Sequence, residues 1–319
     1  MGKWAIVLHG GAGVISKSMP PEKKEEVERA LAHCLDLGVT ALKGSSSAMD
    51  VAELVVRALE DNPLFNAGRG SVLTTHGTIE MEASIMNGCT KQCGAVSGLT
   101  TVVNPISLAR LVMEKTPHIY LAFAGAEAFA RQQGVPTAET EYFMTDKSID
   151  QLKAVQSKEE ASCMAALKQE TGPDVFCGEL ADKPFSGETV GCVVVDKLGH
   201  CVAATSTGGR TNKMVGRIGD TPLIGAGNYS NQLCAVSATG IGEAIIRGMA
   251  GHTVGALMEF KGMSLAAAVN EVVENRVERG TTGLIAVSSS GEFAMAFNTT
   301  GMYRAAADED GHYEVAIWH

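Results

Sequence analysis

Sheets enclosed between helical layers, an α/β (α+β) fold, is the architecture this sequence predicts. Strand-like apolar runs come in pairs, paired helical periods follow, and the same order then returns. No segment repeats at a solenoid period. With 45% hydrophobic and 19% charged residues, the 319-residue chain has the balance of a globular protein. It can bury a large core as one domain or two.

Trp4–Leu8 reads as a buried strand closing in the turn His9-Gly10-Gly11-Ala12-Gly13. Pro21–Leu37 sets Val27, Leu31, Cys34 and Leu35 at helical spacing, with Gly38 as its stop. Ser47–Leu59 is a second helix with Val51, Leu54, Val55, Ala58 and Leu59 on one face, after which Pro63 turns the chain. Ile79–Met86 and Gly94–Val103 are strands. Pro105–Lys115 is a helix opened by proline, and Leu121–Gln133 is helical up to Gly134. From about 136 to 186 the periodicity dissolves, apart from a short helix over Glu159–Lys168, so a flexible connector is expected there. Strands at Thr189–Asp196 and Cys201–Ser206 are joined by the turn Lys197-Leu198-Gly199-His200. Leu233–Ala238 then leads to a helix ending near Phe260. A further helix over Ser264–Glu278 and strands at Thr282–Ser288 and Glu292–Asn298 complete the order.

Bulk properties exclude several classes. A net charge of -10 argues against nucleic acid or an anionic membrane as partner. No apolar run approaches the ~20 residues that span a bilayer. The opening run is too short for a signal segment, so the cytosol is the expected location. The eight cysteines are scattered and are expected to be reduced thiols. Cys89 and Cys93, the one close pair, lack the histidine or second pair of a zinc site. The eight histidines occur singly and receive no catalytic role.

Chemistry concentrates in the second half. Thr189 opens a strand directly after the connector. If the Glu188–Thr189 bond is cut, the freed α-amine, with an unperturbed pKa of ~7.7–8.0, can take the hydroxyl proton. A β-branched residue is equally at home at a strand start. Thr205-Ser206-Thr207-Gly208-Gly209 offers three hydroxyls beside flexible glycines. Arg217 can grip a carboxylate with two parallel hydrogen bonds, and Asp220, three residues on, can hold an ammonium. The pair suits the charged end of a free amino acid, or else forms a surface ion pair of little consequence. Thr239-Gly240-Ile241-Gly242-Glu243 places glycines at a strand-to-helix junction, where backbone N–H groups can stabilise an oxyanion. Asn62-Pro63-Leu64-Phe65-Asn66-Ala67-Gly68-Arg69-Gly70 is a compact loop whose carbonyls could ring a hard cation.

In combination these segments resemble the plant-type L-asparaginase/isoaspartyl aminopeptidase family of N-terminal-nucleophile hydrolases. The matching pieces also include Leu8-His9-Gly10-Gly11-Ala12-Gly13, Glu80-Met81-Glu82-Ala83-Ser84-Ile85-Met86, Asn212-Lys213 and Glu314-Val315-Ala316-Ile317-Trp318. Together they cover most of the chain apart from about 136–186. The resemblance implies a four-layer αββα sandwich, one domain over 1–319, cut into an α part (1–188) and a β part (189–319). It implies a dimer of such αβ heterodimers. Thr189 would be the nucleophile, Thr207 its support, Asn66 a neighbour, and Thr239 with Gly240 the oxyanion hole. Substrate would be held by Arg217, Ile218, Gly219, Asp220, Thr239, Gly240, Ile241 and Gly242. The substrates implied are L-asparagine and β-aspartyl dipeptides. No cofactor is implied for catalysis. Sodium would be structural, on carbonyls of Leu59, Glu60, Asn62, Phe65, Ala67 and Arg69. Many relatives have glycine before the nucleophile where this chain has Glu188. Potassium dependence, which some plant members show at a loop matching Val112–Ile119, is left open. An uncleaved amino-acid-binding or scaffold protein of the same fold is the alternative.

Overall fold

The computed structural model describes residues 2–168, 186–187 and 189–319, so Glu188 and most of the end of the expected connector lie outside the described residues. The larger sheet is built on β1 (Ala5–Gly13), the next strand pair in the chain, β2 (Met81–Asn87) and β3 (Cys93–Leu99), and the short β4 (Tyr120–Ala122). To these it adds the two-residue β5 (Ser186–Gly187), β6 (Val190–Val195) and β7 (Cys201–Thr207). The smaller sheet holds β8 (Asn228–Ser230), β9 (Cys234–Gly240), β10 (Thr282–Ser288) and β11 (Phe293–Phe297). β12 (Gly301–Asp308) and β13 (Tyr313–Ala316) return to the larger sheet, whose order is β13-β12-β1-β6-β7-β2-β3-β4, with β5 on β1. All pairings are antiparallel except β3 with β4.

Helices α1 (Pro21–Lys43), α2 (Ala48–Glu60) and α3 (Pro105–Lys115) cover the outer face of the larger sheet. They bury Leu31, Leu35, Val51, Val55 and Leu108 against Ile6, Leu8, Cys192 and Val194. After α4 (Phe123–Gln133), α5 (Thr140–Phe143), α6 (Asp146–Lys168) and α7 (Gly242–Gly248), the smaller sheet is covered by α8 (Ala250–Lys261) and α9 (Leu265–Asn275). Between the sheets lies a third apolar layer containing Ala5, Val7, Val193, Val195, Ala203, Ile285 and Val287. Alternate residues of β1 and β6 thus feed different layers, as the period of two requires, and both faces are buried. This is the αββα sandwich expected.

Four expectations are corrected. Gly38 does not stop the first helix, which runs to Lys43. Gly38 is instead the point where the helix meets the sheet: a Cβ there would collide with Ile6 Cδ1 and lie 3.0 Å from Val55 Cγ2. Residues His9–Gly13 are not a turn but the second half of β1, with a register shift between His9 and Gly11. The connector is helical over much of its length. α6 begins at a reciprocal cap, in which Ser148 N donates to Thr145 Oγ1 and Thr145 N to Ser148 Oγ, each at 3.1 Å. In its first turns the apolar residues Ile149, Leu152 and Val155 are spaced three apart among polar ones, a line too thin to give a strong helical period. Finally, β4, β5, β8, β12 and β13 extend the order beyond the strands expected, β4 taking the first residues of the helix expected from Leu121. β12 is alanine-rich and carries Arg304, a composition without strand character of its own.

Candidate active site

Strand parity gathers the site. Val193 and Val195 of β6 face the layer between the sheets, and counting back in twos puts Gly191 and Thr189 on that side. On β7 the same count runs from Cys201 and Ala203 to Thr205 and Thr207; on β9, from Ala235 to Ser237 and Thr239. Four threonines and a serine therefore converge at one end of the sandwich, where the apolar filling gives way to hydroxyls. All five are buried.

Thr189 Oγ1 donates to Thr207 Oγ1 at 3.2 Å, and Gly209 N donates to the same Thr207 oxygen at 2.9 Å. With a backbone donor already on it, the Thr207 hydroxyl is held as an oriented neighbour of the Thr189 oxygen. Asn66 binds the end of β7: Gly208 N donates to its carbonyl at 3.0 Å and its Nδ2 to Gly209 O at 2.7 Å. Its Oδ1 accepts from Val72 N at 2.9 Å. Asn66 thus sits against Thr207–Gly209. Beneath the same strand, the buried Glu60 carboxyl accepts from Ser206 Oγ at 2.6 Å and Ile106 N at 3.0 Å. Burial pushes it up to about 8. Thr239 Oγ1 accepts from Ala12 N at 3.1 Å, tying the smaller sheet to β1. Thr239 and Gly240 are the last residues of β9 rather than part of the loop beyond it.

The loop from Lys213 to Asp220 brings the charged groups. Gly216 N donates to Glu80 Oε2 at 2.9 Å and Gly219 N to Glu82 Oε2 at 3.0 Å, so two carboxylates two residues apart hold both ends of the turn that carries Arg217. Arg217 Nε donates to Glu243 Oε1 at 3.0 Å. Asp220 is buried, and its Oδ2 has no hydrogen-bond partner among the described residues. Burial raises its carboxyl to about 7, against the pull of Arg217. A Cβ placed on Gly242 would lie 2.7 Å from Arg217 Nη2 and 2.8 Å from Asp220 Oδ1. The guanidinium and the carboxyl therefore reach the same spot beside Gly242, with opposite charge preferences. Ile218 and Gly219 lie within this turn, and Ile241 N donates to Thr281 O at 2.8 Å at its far side.

The loop over Leu59–Gly70 is drawn tight by Arg69 N donating to Glu60 O at 2.8 Å and Phe65 N to Asn62 O at 3.2 Å. Carbonyls of Pro63 and Phe65 would lie 2.8 and 2.6 Å from a Cβ at Gly70. Of the carbonyls expected to ring a cation, those of Glu60 and Asn62 accept from Arg69 N and Phe65 N and keep a second lone pair each. Among the described residues no three His, Cys, Asp or Glu side chains are placed to share a metal.

One functional candidate was missed. His9 is fully buried, with Nδ1 2.9 Å from Thr189 O and Nε2 2.8 Å from Ser237 Oγ. The alternation of Ala5 and Val7, continued one step, places His9 on the inter-sheet face; a strand ending at Leu8 stops short of it.

The family model described as asparaginase matches residues 2–317. An Arabidopsis thaliana protein named "Probable isoaspartyl peptidase/L-asparaginase 2" is 54% identical, with all of both chains aligned. The "Isoaspartyl peptidase" of Escherichia coli strain K12 is 43% identical over 96% of this chain and 93% of its own. The human "Isoaspartyl peptidase/L-asparaginase" is 42% identical over 98% and 95%. The resemblance drawn from the motifs is thereby borne out, and the chain belongs to the asparaginase family.

Proposed function

We infer that this chain is a self-processing threonine hydrolase that releases L-aspartate from β-aspartyl dipeptides and L-asparagine. The observation that carries this is the buried Thr189–Thr207 hydroxyl contact at 3.2 Å, on the same chain segment as the opposed charges of Arg217 and Asp220. Arg217 takes the substrate α-carboxylate and Asp220 the α-ammonium, which leaves the side-chain carbonyl to meet Thr189. The α-amine of Thr189 accepts the Oγ proton as Oγ bonds to the carbonyl carbon. Thr239 and Gly240 stabilise the oxyanion. The C–N bond breaks with the proton passing to the leaving amine or ammonia, and water then cleaves the ester to free aspartate and the Thr189 hydroxyl.

The same assignment carries other proposals. Cleavage falls between Glu188 and Thr189, and the two pieces stay together as one sandwich because β1 and β6, from opposite sides of the cut, are hydrogen-bonded neighbours. Two αβ units form the working assembly. Carbonyls of Leu59, Glu60, Asn62, Phe65, Ala67 and Arg69 hold a structural sodium ion. A cytosolic location agrees with six described cysteines that form no disulfide and with the lack of any described helix long and apolar enough to cross a membrane.

Intact mass of the wild type beside Thr189→Ala tests the core of this. Conversion of the 33.3 kDa chain into pieces 1–188 and 189–319, with the variant remaining whole, is expected. A wild type that stays whole after long incubation and hydrolyses neither substrate would leave the binding-protein alternative.

A further inference from the structure

His9 sits at the point where the apolar filling between the sheets gives way to buried hydroxyls. It lies between the two sheets, beyond Ala5 and Val7 of the same strand and directly opposite Gly191 of β6. The β1–β6 ladder ends at that pair. Two residues before Gly191, just outside β6, the carbonyl of Thr189 is met by the imidazole of His9, Nδ1 to O being 2.9 Å. On the far side of the ring, Nε2 is 2.8 Å from Ser237 Oγ of the smaller sheet, and Ser237 Oγ is 2.8 Å from Thr205 Oγ1 of β7. Gly191 is required for this: a Cβ there would collide with both Ser237 Oγ and His9 Nε2.

The proton positions follow from chemistry. A carbonyl oxygen only accepts, so Nδ1 carries the hydrogen. The ring is neutral, because burial away from any carboxylate lowers its pKa to about 3. Nε2 therefore offers a lone pair, and Ser237 must donate to it. The single Ser237 proton is then committed, so Thr205 donates to Ser237. Its other acceptor, Gly227 O, is at a long 3.5 Å. The result is a one-way chain, Thr205 to Ser237 to His9 to the Thr189 carbonyl, anchored in both sheets.

We propose that His9 is a positioning residue for the nucleophile: its neutral Nδ1–H, set by Ser237, fixes the carbonyl of Thr189 and so the rotation of that residue's Cα, hydroxyl and amine. The proposal rests on Thr189 being the nucleophile. Once the preceding peptide bond is cut, Thr189 is a chain end that has lost its covalent restraint on one side, and chain ends are mobile unless tied down. The Thr207 contact holds only the hydroxyl. His9 supplies the second tether, at the carbonyl, so that the amine and the hydroxyl keep their mutual geometry. Misplacing reacting groups by about 1 Å can cost on the order of 100-fold in rate.

Two amide replacements separate the two ring nitrogens. His9→Asn keeps a donor near the Nδ1 position, whereas His9→Gln keeps a polar group near Nε2 and loses the donor to Thr189. For His9→Gln the expected result is a kcat loss of about 10–100-fold, with KM within about twofold, since Arg217 and Asp220 are untouched. His9→Asn should retain most of kcat at a comparable melting temperature. Nitrogen-15 NMR of the wild-type ring should report a protonated Nδ1 and a bare Nε2, unchanged from about pH 8 to about pH 5. A His9→Gln enzyme with wild-type kcat, or losses in both variants that track melting temperature alone, would overturn the assignment. So would a charged ring or the opposite tautomer, a readout that applies even if the wild type proves inert. An inert, uncut wild type would itself sink the functional proposal, whereas an active wild type with an equally active His9→Gln variant sinks only this one.

Discussion

The Lys213 ammonium and the Glu82 carboxylate, both almost wholly enclosed, stand 3.7 Å apart, and Lys213 Nζ also donates to Glu80 O at 2.6 Å. Burial pulls each toward its neutral form, raising Glu82 and lowering Lys213, while each charge opposes the shift of the other. Removing one member leaves the other buried and uncompensated. Lys213→Met should therefore destabilise by about 3–5 kcal/mol, and Lys213→Met with Glu82→Gln by markedly less. Denaturant unfolding of the three proteins checks the order. A double variant as weak as the single one would show that packing, not charge, is what Lys213 supplies.

Arg217→Ala is expected to raise KM for asparagine by about 10–100-fold, because charge-assisted hydrogen bonds contribute ~1.5–3 kcal/mol and each ~1.4 kcal/mol is tenfold. The effect on kcat should be smaller. Steady-state kinetics would reject the carboxylate grip if KM were unchanged.

Asp220 predicts a pH dependence. Its carboxyl titrates at about 7, so below that pH it is neutral and cannot pair with the substrate ammonium. In the free enzyme kcat/KM should fall as pH drops below about 7, through protonation of both Asp220 and the Thr189 α-amine (unperturbed pKa ~7.7–8.0), and Asp220→Asn should lower the plateau and make that fall shallower. The stability sign is opposite. A carboxyl raised from 3.8 to about 7 on folding favours the folded state fully below 3.8, and that contribution is lost as pH rises through about 7. A pH profile flat from about 8 to about 5 would remove Asp220 from the ammonium site.

Gly191→Ala should block processing, since the added methyl displaces the Ser237 hydroxyl and the His9 ring together. Gel mobility after expression reads this directly. Efficient processing of that variant would mean that neither group is needed in place.

Gly38→Ala offers a test of packing alone. Alanine is the better helix former by ~0.5–1 kcal/mol, but the collision with Ile6 should cost about 1–3 kcal/mol. A lower melting temperature is expected. A rise would mean that α1 can lift from the sheet without loss.

Much of the fold was legible because its periods are strong. Ser47 was placed at the start of a helix, and it caps α2 by accepting from Asp50 N at 3.2 Å; Pro105–Lys115 matches α3 end to end. Gly38 and the His9–Gly13 stretch differ from expectation because glycine reads locally as a break. At Gly38 and Gly10 it marks instead where Ile6 and Phe65 approach too closely for a side chain, and Gly11 takes a φ of 124°. β12 was missed because its alanines take strand form only through pairing with β1.

The sequence by itself determined the kinds of chemistry available: a threonine at a strand start, an Arg and an Asp three residues apart, and loops rich in glycine and carbonyls. Tertiary structure alone decided which groups meet. His9 and Thr189 are 180 residues apart and Thr205 and Ser237 sit on different sheets, yet they form one buried hydrogen-bonded chain. Such contacts leave no period or spacing along the chain. They arise when two sheets stack with a given register, which sets both the burial that keeps His9 neutral and the direction in which its proton points.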